Sequence, residues 1–159
     1  AYDEHSKQAV FACSVDCKGA QNIKLFVQGG GMYETVPITV LTDKTAQTQT
    51  PLTSATGKKG TLDEMRVNTN RISFRYTLPD YLEPSAQWDT DWKEYVYGTP
   101  KVTVTFADGS ETQLKLTELY GEQDAQNFDC YTHYFTLRDG IQLKNAVSLT
   151  VNGTQYTLR

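Results

Sequence analysis

Residues 147–158 read Val-Ser-Leu-Thr-Val-Asn-Gly-Thr-Gln-Tyr-Thr-Leu, and this stretch decides the fold class. Two segments of alternating residues meet at Asn152-Gly153, a dipeptide that suits the positive φ angles of a type I′ turn. Alternation on both sides of such a turn is typical of a β-hairpin. The segment therefore predicts two antiparallel strands.

Further segments along the chain repeat this pattern. Residues 102–106 and 111–116 alternate on either side of Asp108-Gly109, which predicts a second hairpin. In the segment 70–78, Ile72, Phe74 and Tyr76 share one face of a predicted strand. Eight to ten strands without a long amphipathic helix predict an all-β fold, an antiparallel β-sandwich of immunoglobulin-like type, with a barrel as the second choice.

The length of 159 residues predicts a single β-sandwich domain over 1–159. Within it, Thr, Gln and Lys dominate residues 42–60, which predicts a long exposed loop or a weak edge strand. A domain boundary there is less favoured, because about 40 preceding residues would make a poor domain. Residues 84–97 depart from the strand pattern and predict one short helical or irregular insertion.

Charge and hydropathy exclude some partners. The net charge of −4 and the pI near 5.1 argue against a nucleic-acid or anionic-membrane surface, which would need a concentrated basic patch. No segment of 18 apolar residues is present to span a membrane. The polar opening, residues 1–7, is not a signal peptide, so we expect a mature or shortened chain.

The three cysteines leave several pairings open. Cys13 and Cys17 are four residues apart, about 13 Å in an extended strand, which is too far for a disulfide. Pairing of Cys130 with Cys13 or Cys17 is therefore the expected disulfide, and buried free thiols are the alternative. The spacing does not favour zinc, and we predict no metal site.

An acidic and aromatic cluster lies in the insertion. Aromatic rings beside carboxylates are typical of sugar-binding platforms, and the spacing Asp89-x-Asp91-x-x-Glu94 offers oxygen ligands for calcium. The third interpretation is that the tryptophans close one end of the sandwich while the acids face water. The candidate ligand-binding residues are Trp88, Asp89, Asp91, Trp92, Tyr95 and Tyr97.

No known catalytic motif is present in the sequence. Cys130 and His133 are three residues apart on a predicted strand, so their side chains point to opposite faces and do not form a nucleophile–base pair. A Gly-x-Ser-x-Gly nucleophile elbow is absent. We therefore predict a protein that is not an enzyme and that uses no cofactor.

The segment 137–158, with its Val-Ser-Leu-x-Val-Asn-Gly-x-x-Tyr-x-Leu ending, resembles a known group of domains. It is similar to the last strands of extracytoplasmic immunoglobulin-like domains in Gram-positive membrane-anchored proteins, many of them anti-sigma-factor-like or of unknown function. The hairpin 101–110 and the strand 70–76 also suit such a domain. The resemblance implies an extracytoplasmic location, a parent protein anchored upstream and no catalytic residues.

The expected function is thus a non-catalytic extracytoplasmic binding, sensing or adaptor domain of a cell-envelope protein. Its partner would be a protein or a glycan at the cell surface. The alternative is a carbohydrate-binding module that uses the aromatic platform at residues 88–97.

Overall fold

The computed structural model describes the backbone of residues 2–3, 8–9, 22–26, 33–37, 43–81 and 88–159. Side chains are described for residues 43–81 and 91–159. No helix in this part of the chain is long and apolar enough to cross a membrane.

The chain divides into two compact units, Ala1–Val40 and Leu41–Arg159. The first unit contains two antiparallel strand pairs, which are β1 (Tyr2–Asp3) with β2 (Gln8–Ala9), and β3 (Asn22–Phe26) with β4 (Tyr33–Pro37). The division falls beside the Thr-rich segment where the sequence had offered a boundary as the less favoured choice. A single domain over 1–159 stays a prediction.

The described residues of the second unit form two antiparallel sheets and one helix. The five-stranded sheet has the order β10-β11-β7-β6-β5, formed by β5 (Lys44–Thr53), β6 (Lys59–Val67), β7 (Arg71–Thr77), β10 (Leu116–Gln123) and β11 (Cys130–Leu137). The four-stranded sheet has the order β13-β12-β8-β9, formed by β8 (Val102–Phe106), β9 (Glu111–Gln113), β12 (Ala146–Val151) and β13 (Thr154–Thr157). Helix α1 (Trp88–Val96) lies in the predicted insertion. The all-β sandwich is confirmed; its immunoglobulin-like type stays a prediction.

Both predicted hairpins are present. Asn152 and Gly153 have φ angles of 49° and 88°, as a type I′ turn requires, and they join β12 to β13. In the other hairpin Gly109 has a φ of 81°, and the Ser110 N–H donates to Asp108 Oδ1 at 2.9 Å. The residues in the two turns therefore determine how β8 connects to β9 and how β12 connects to β13.

Apolar side chains from both sheets form one core. Ile72, Phe74 and Tyr76 of β7 are buried as their alternation predicted, and they share the core cluster with Val104 and Leu149 of the other sheet. The Phe74 ring meets Phe135 of β11 edge to face, with 5.8 Å between centroids. This burial on one side of each sheet stabilises the sandwich.

The Thr-rich segment is the edge strand β5, which was the second of the two alternatives for residues 42–60. A long loop there is wrong, because only residues 54–58 form a turn before β6 begins. The edge is irregular, with a register shift between Gln47 and Thr50 and with Pro51 inside the strand. Two backbone hydrogen bonds between Thr45 and Arg159, of 3.1 and 2.8 Å, cover part of it. This edge is thus protected against further pairing.

Candidate functional site

Helix α1 packs its apolar side onto the core. Trp92 and Val96, four residues apart, are buried, and Trp92 has no exposed surface. The tip of the Trp92 ring rests on the backbone of Gly60, where an added Cβ would lie 3.1 Å from Trp92 Cη2. The prediction of Trp92 as part of an exposed sugar platform is therefore wrong, because close packing against a glycine of β6 takes the ring into the core.

The other predicted site residues have different surroundings. Tyr95 is half-buried between Trp92 and Tyr76, and its hydroxyl donates to the Thr53 carbonyl at 3.1 Å. Tyr97, after the helix, is 48% exposed. Trp88 and Asp89 begin the helix, and their side chains lie outside the described residues. The structure therefore does not bring the six residues together as one exposed platform.

Asp91 borders an open depression of about 530 Å³ beside α1. Its side chain is only 6% exposed; Oδ2 lies 3.3 Å from Lys58 Nζ, and Oδ1 has no hydrogen-bond partner in the described part of the chain. Lys93, Glu94 and Tyr97 line the same depression. Within residues 43–81 and 91–159, no group of three His, Cys, Asp or Glu is placed to hold a metal ion.

Cys130 begins β11 as a buried free thiol among the described residues. Its Sγ lies 3.8 Å from Thr77 Oγ1 on the neighbouring strand. Cys13 and Cys17 lie outside the described residues, so their pairing stays a prediction.

Strand β10 carries the surface that the sequence did not indicate. The sequence did not predict it as a strand, because the predicted hairpin ended at residue 116. Leu119 and Tyr120 on β10 are 45% and 47% exposed, and Phe128 in the following turn is 58% exposed. These are three of the five large apolar residues exposed among the described side chains. We call Leu116–Gln123 together with Phe128 the β10 edge.

A β-bulge at Leu119 explains the exposure of Leu119 and Tyr120. Glu118 pairs with Phe135 of β11, and Tyr120 with Tyr134, so the intervening Leu119 has no partner of its own. The bulge moves two consecutive apolar residues out of the alternation that buries side chains elsewhere. As a result, Tyr120 lies on the outer face of the sheet, where its ring stacks on Tyr134 with 4.7 Å between centroids.

The outer face around Tyr134 is ordered by polar contacts. The Tyr134 hydroxyl donates to Glu122 Oε1 at 2.6 Å, and partial burial with this hydrogen bond raises the pKa of Tyr134 to about 12. The Arg71 guanidinium lies over the same ring, 5.6 Å from its centroid. Tyr134 is thus held between a cation and a second ring, and it positions Tyr120 and Glu122.

The inner side of β10 has an unusual charged contact. Glu118 accepts a hydrogen bond from Nε2 of the fully buried His133 at 3.0 Å, while half of its side chain is exposed. His133 Nδ1 has no partner among the described residues. This hydrogen bond therefore connects the buried face of β11 to the exposed surface of β10.

Among the described residues, a carboxylate of β6 and one in the turn after β10 form ion pairs with arginine, whereas the two glutamates of β10 do not. Glu64 pairs with Arg66, and Asp124 with Arg75 at 3.4 Å. Among the described residues, the side chain of Glu118 is hydrogen-bonded to His133 and that of Glu122 to Tyr134. Within the described part of the chain, neither of these glutamates forms an ion pair with a lysine or an arginine. The β10 edge therefore presents two carboxylates without a cationic partner.

Gly121 has no side chain, which allows the Tyr131 side chain of β11 to pack against the inner side of β10. The Tyr131 side chain of β11 crosses this position, and an added Cβ would lie 1.5 Å from its hydroxyl oxygen. Gly121→Ala must displace a buried ring that packs on Tyr81, and we expect a loss of about 1–3 kcal/mol in the free energy of unfolding. Urea denaturation measures it. Thr117→Ala, an exposed change on the same strand, is the control, and equal losses in both variants would contradict the packing.

No protein-family model, curated protein or solved structure matches the chain. The resemblance to anti-sigma-factor-like extracytoplasmic domains stays a prediction made from the segment 137–158.

Proposed function

We propose that this protein is a non-catalytic binding or adaptor domain of a cell-envelope protein, located outside the cytoplasm, and that it binds a protein partner through the β10 edge. The observation that carries the proposal is the concentration of exposed Leu119, Tyr120 and Phe128 on one strand and the turn that follows it. Adjacent exposed large apolar residues such as Leu119 and Tyr120 are typical of interaction sites, whereas scattered ones are ordinary.

The fixed position of the Tyr120 ring on the β10 edge also supports binding of a protein partner. Tyr120 rests on Tyr134, which Arg71 and Glu122 hold from two sides. A ring that is already fixed loses little conformational freedom when a partner covers it. The extracytoplasmic location rests on the resemblance of the segment 137–158.

Selection of displayed peptides against the full chain tests the proposal. We expect the selected peptides to lose at least about tenfold in affinity for a Leu119→Ser/Tyr120→Ser/Phe128→Ser variant. The matched control is Tyr97→Ser/Val147→Ser, which removes the other two exposed large apolar residues. Equal loss in both variants, or substrate turnover that a point mutation abolishes, would contradict the proposal.

A carbohydrate-binding module is the second candidate, favoured by the depression where Asp91 and Glu94 lie beside the half-exposed Tyr97. Carboxylates that accept hydroxyl hydrogen bonds beside a ring are what a sugar requires. Because Trp92 is buried, a sugar ring would have to stack on Tyr97 or Trp88 instead.

Tryptophan fluorescence separates this candidate from the first. In a Trp88→Phe variant Trp92 is the sole emitter, and we expect blue-shifted emission that acrylamide quenches poorly, because the ring is fully buried. The control is Trp92→Phe, which reports Trp88 alone. Glycan titration that shifts the emission of Trp88 would support the carbohydrate module, and red-shifted, quenchable emission from Trp92 would contradict its place in the core.

A further inference from the structure

We propose that the β10 edge binds an extended, positively charged segment of a partner protein as an added sixth strand of the five-stranded sheet. This inference rests on the proposed function and deepens it, because it names the mode of binding and the chemistry of the partner. Addition of a strand to an open edge obtains affinity from main-chain hydrogen bonds and specificity from side chains.

The backbone of β10 is open on one side. At one end of the β10–β11 ladder the Asp124 N–H donates to the Cys130 carbonyl at 2.9 Å, and at the other end the Arg138 N–H donates to the Lys115 carbonyl at 3.0 Å. Hydrogen-bonded and non-hydrogen-bonded residue pairs alternate along an antiparallel ladder. The two end bonds therefore indicate which residues between them form backbone hydrogen bonds to β11. The backbone groups of Tyr120 and Glu122 form hydrogen bonds to β11. Those of Glu118, Gly121 and Gln123 point away from β11, toward the open side of the strand.

Other edges in the described part of the chain are shorter or covered. β9 has three residues and β13 has four, whereas β10 has eight. β5 contains Pro51 and meets Arg159 through two backbone hydrogen bonds. No described strand pairs with the outer side of β10. It is therefore the longest edge that can accept another strand.

The negative charge of the β10 edge favours a positively charged partner segment. Glu118 and Glu122 lie beside the exposed Leu119 and Tyr120 without a lysine or arginine partner among the described residues. A second copy of this chain would bring four such carboxylates into one interface, which is unfavourable. A segment with lysine or arginine would neutralise them while its apolar residues cover Leu119 and Tyr120.

The register gives the spacing. Glu118 pairs with Phe135 and Glu122 with Thr132, which are three positions apart on β11 because the bulge absorbs one residue of β10. Side chains three positions apart point to opposite faces of a strand. A regular partner strand would therefore carry basic residues at i and i+3, one toward Glu118 on the inner side and one toward Glu122 on the outer face.

A titration of the full chain into a labelled peptide tests this inference. The probe is a fluorescein-labelled nine-residue peptide of alternating threonine and valine, with one lysine and, three residues later, one arginine. Fluorescence anisotropy should show saturable binding. The double variant E118Q/E122Q should weaken it about fivefold, since exposed ion pairs contribute modestly. The single variant E122Q should weaken peptide binding less than the double variant does. The amide oxygen at position 122 can still accept the hydrogen bond from the Tyr134 hydroxyl.

Controls separate the possible explanations. Glu111→Gln on the edge strand β9 should leave the affinity unchanged, and a peptide with glutamates in place of lysine and arginine should bind at least fivefold more weakly. Equal binding of both peptides, equal weakening by Glu111→Gln, or a dimer of the chain that the peptide dissociates would overturn the inference. Absence of binding up to millimolar concentration would overturn it too. The proposed function would still hold if selected peptides of other composition depend on Leu119, Tyr120 and Phe128.

Discussion

Trp92→Ala is expected to lower the free energy of unfolding by about 3–5 kcal/mol. The indole is fully buried in α1, between the backbone of Gly60 and the ring of Tyr95. Truncation removes the contacts that attach the helix to the five-stranded sheet and leaves a cavity that Gly60 has no side chain to fill. Chemical denaturation followed by far-UV circular dichroism measures the loss.

Tyr97→Ala is the matched control, because this ring follows the same helix and is half exposed. We expect a change within about 0.5 kcal/mol. A loss below about 1 kcal/mol for Trp92→Ala would place the indole outside the core and restore it as a candidate for a sugar-binding surface.

Phe74→Ala is also expected to lower the free energy of unfolding by about 3–5 kcal/mol. Phe74 is fully buried on β7, the central strand of the five-stranded sheet, and its ring contacts Phe135 of the adjacent strand. The measurement is the same denaturation experiment. Ser73→Ala, one residue away on the opposite face, is the control with an expected effect of about 0.5 kcal/mol. A loss below about 1 kcal/mol for Phe74→Ala would mean that the two faces of β7 are reversed.

Sequence predicted the fold where the governing interactions are local. Asn152-Gly153 and Asp108-Gly109 adopt positive φ angles at little cost, so the two hairpins follow from turn chemistry alone. The alternation in β7 predicted its buried face because one side of that strand faces the core and the other faces solvent. Such strands have a clear period of two.

Edge strands were harder to predict. β5 is exposed along much of its length, so threonine and glutamine suffice there and resemble a loop. In β10 the bulge at Leu119 interrupts the period of two, and most of its residues are exposed. A pattern search needs alternation between buried and exposed positions, and these strands provide little of it.

The site could be predicted only in part. The position of a short helix within 84–97 followed from the departure of that segment from strand alternation, and α1 confirms it. The burial of Trp92 depends on Gly60, which is distant in sequence, so no local pattern distinguishes a core tryptophan from an exposed one. The lack of a lysine or arginine partner for Glu118 and Glu122 among the described residues likewise depends on which residues of β11 face them.

Amide hydrogen exchange by NMR, on the full chain alone and with the basic peptide, tests the central claim most directly. In the free protein the Gly121 and Gln123 amides should exchange rapidly and those of Tyr120 and Glu122 slowly, because only the latter bond to β11. The peptide should slow exchange at Glu118, Gly121 and Gln123. Unchanged exchange at these amides, with new protection in residues 91–98 instead, would contradict binding at the β10 edge.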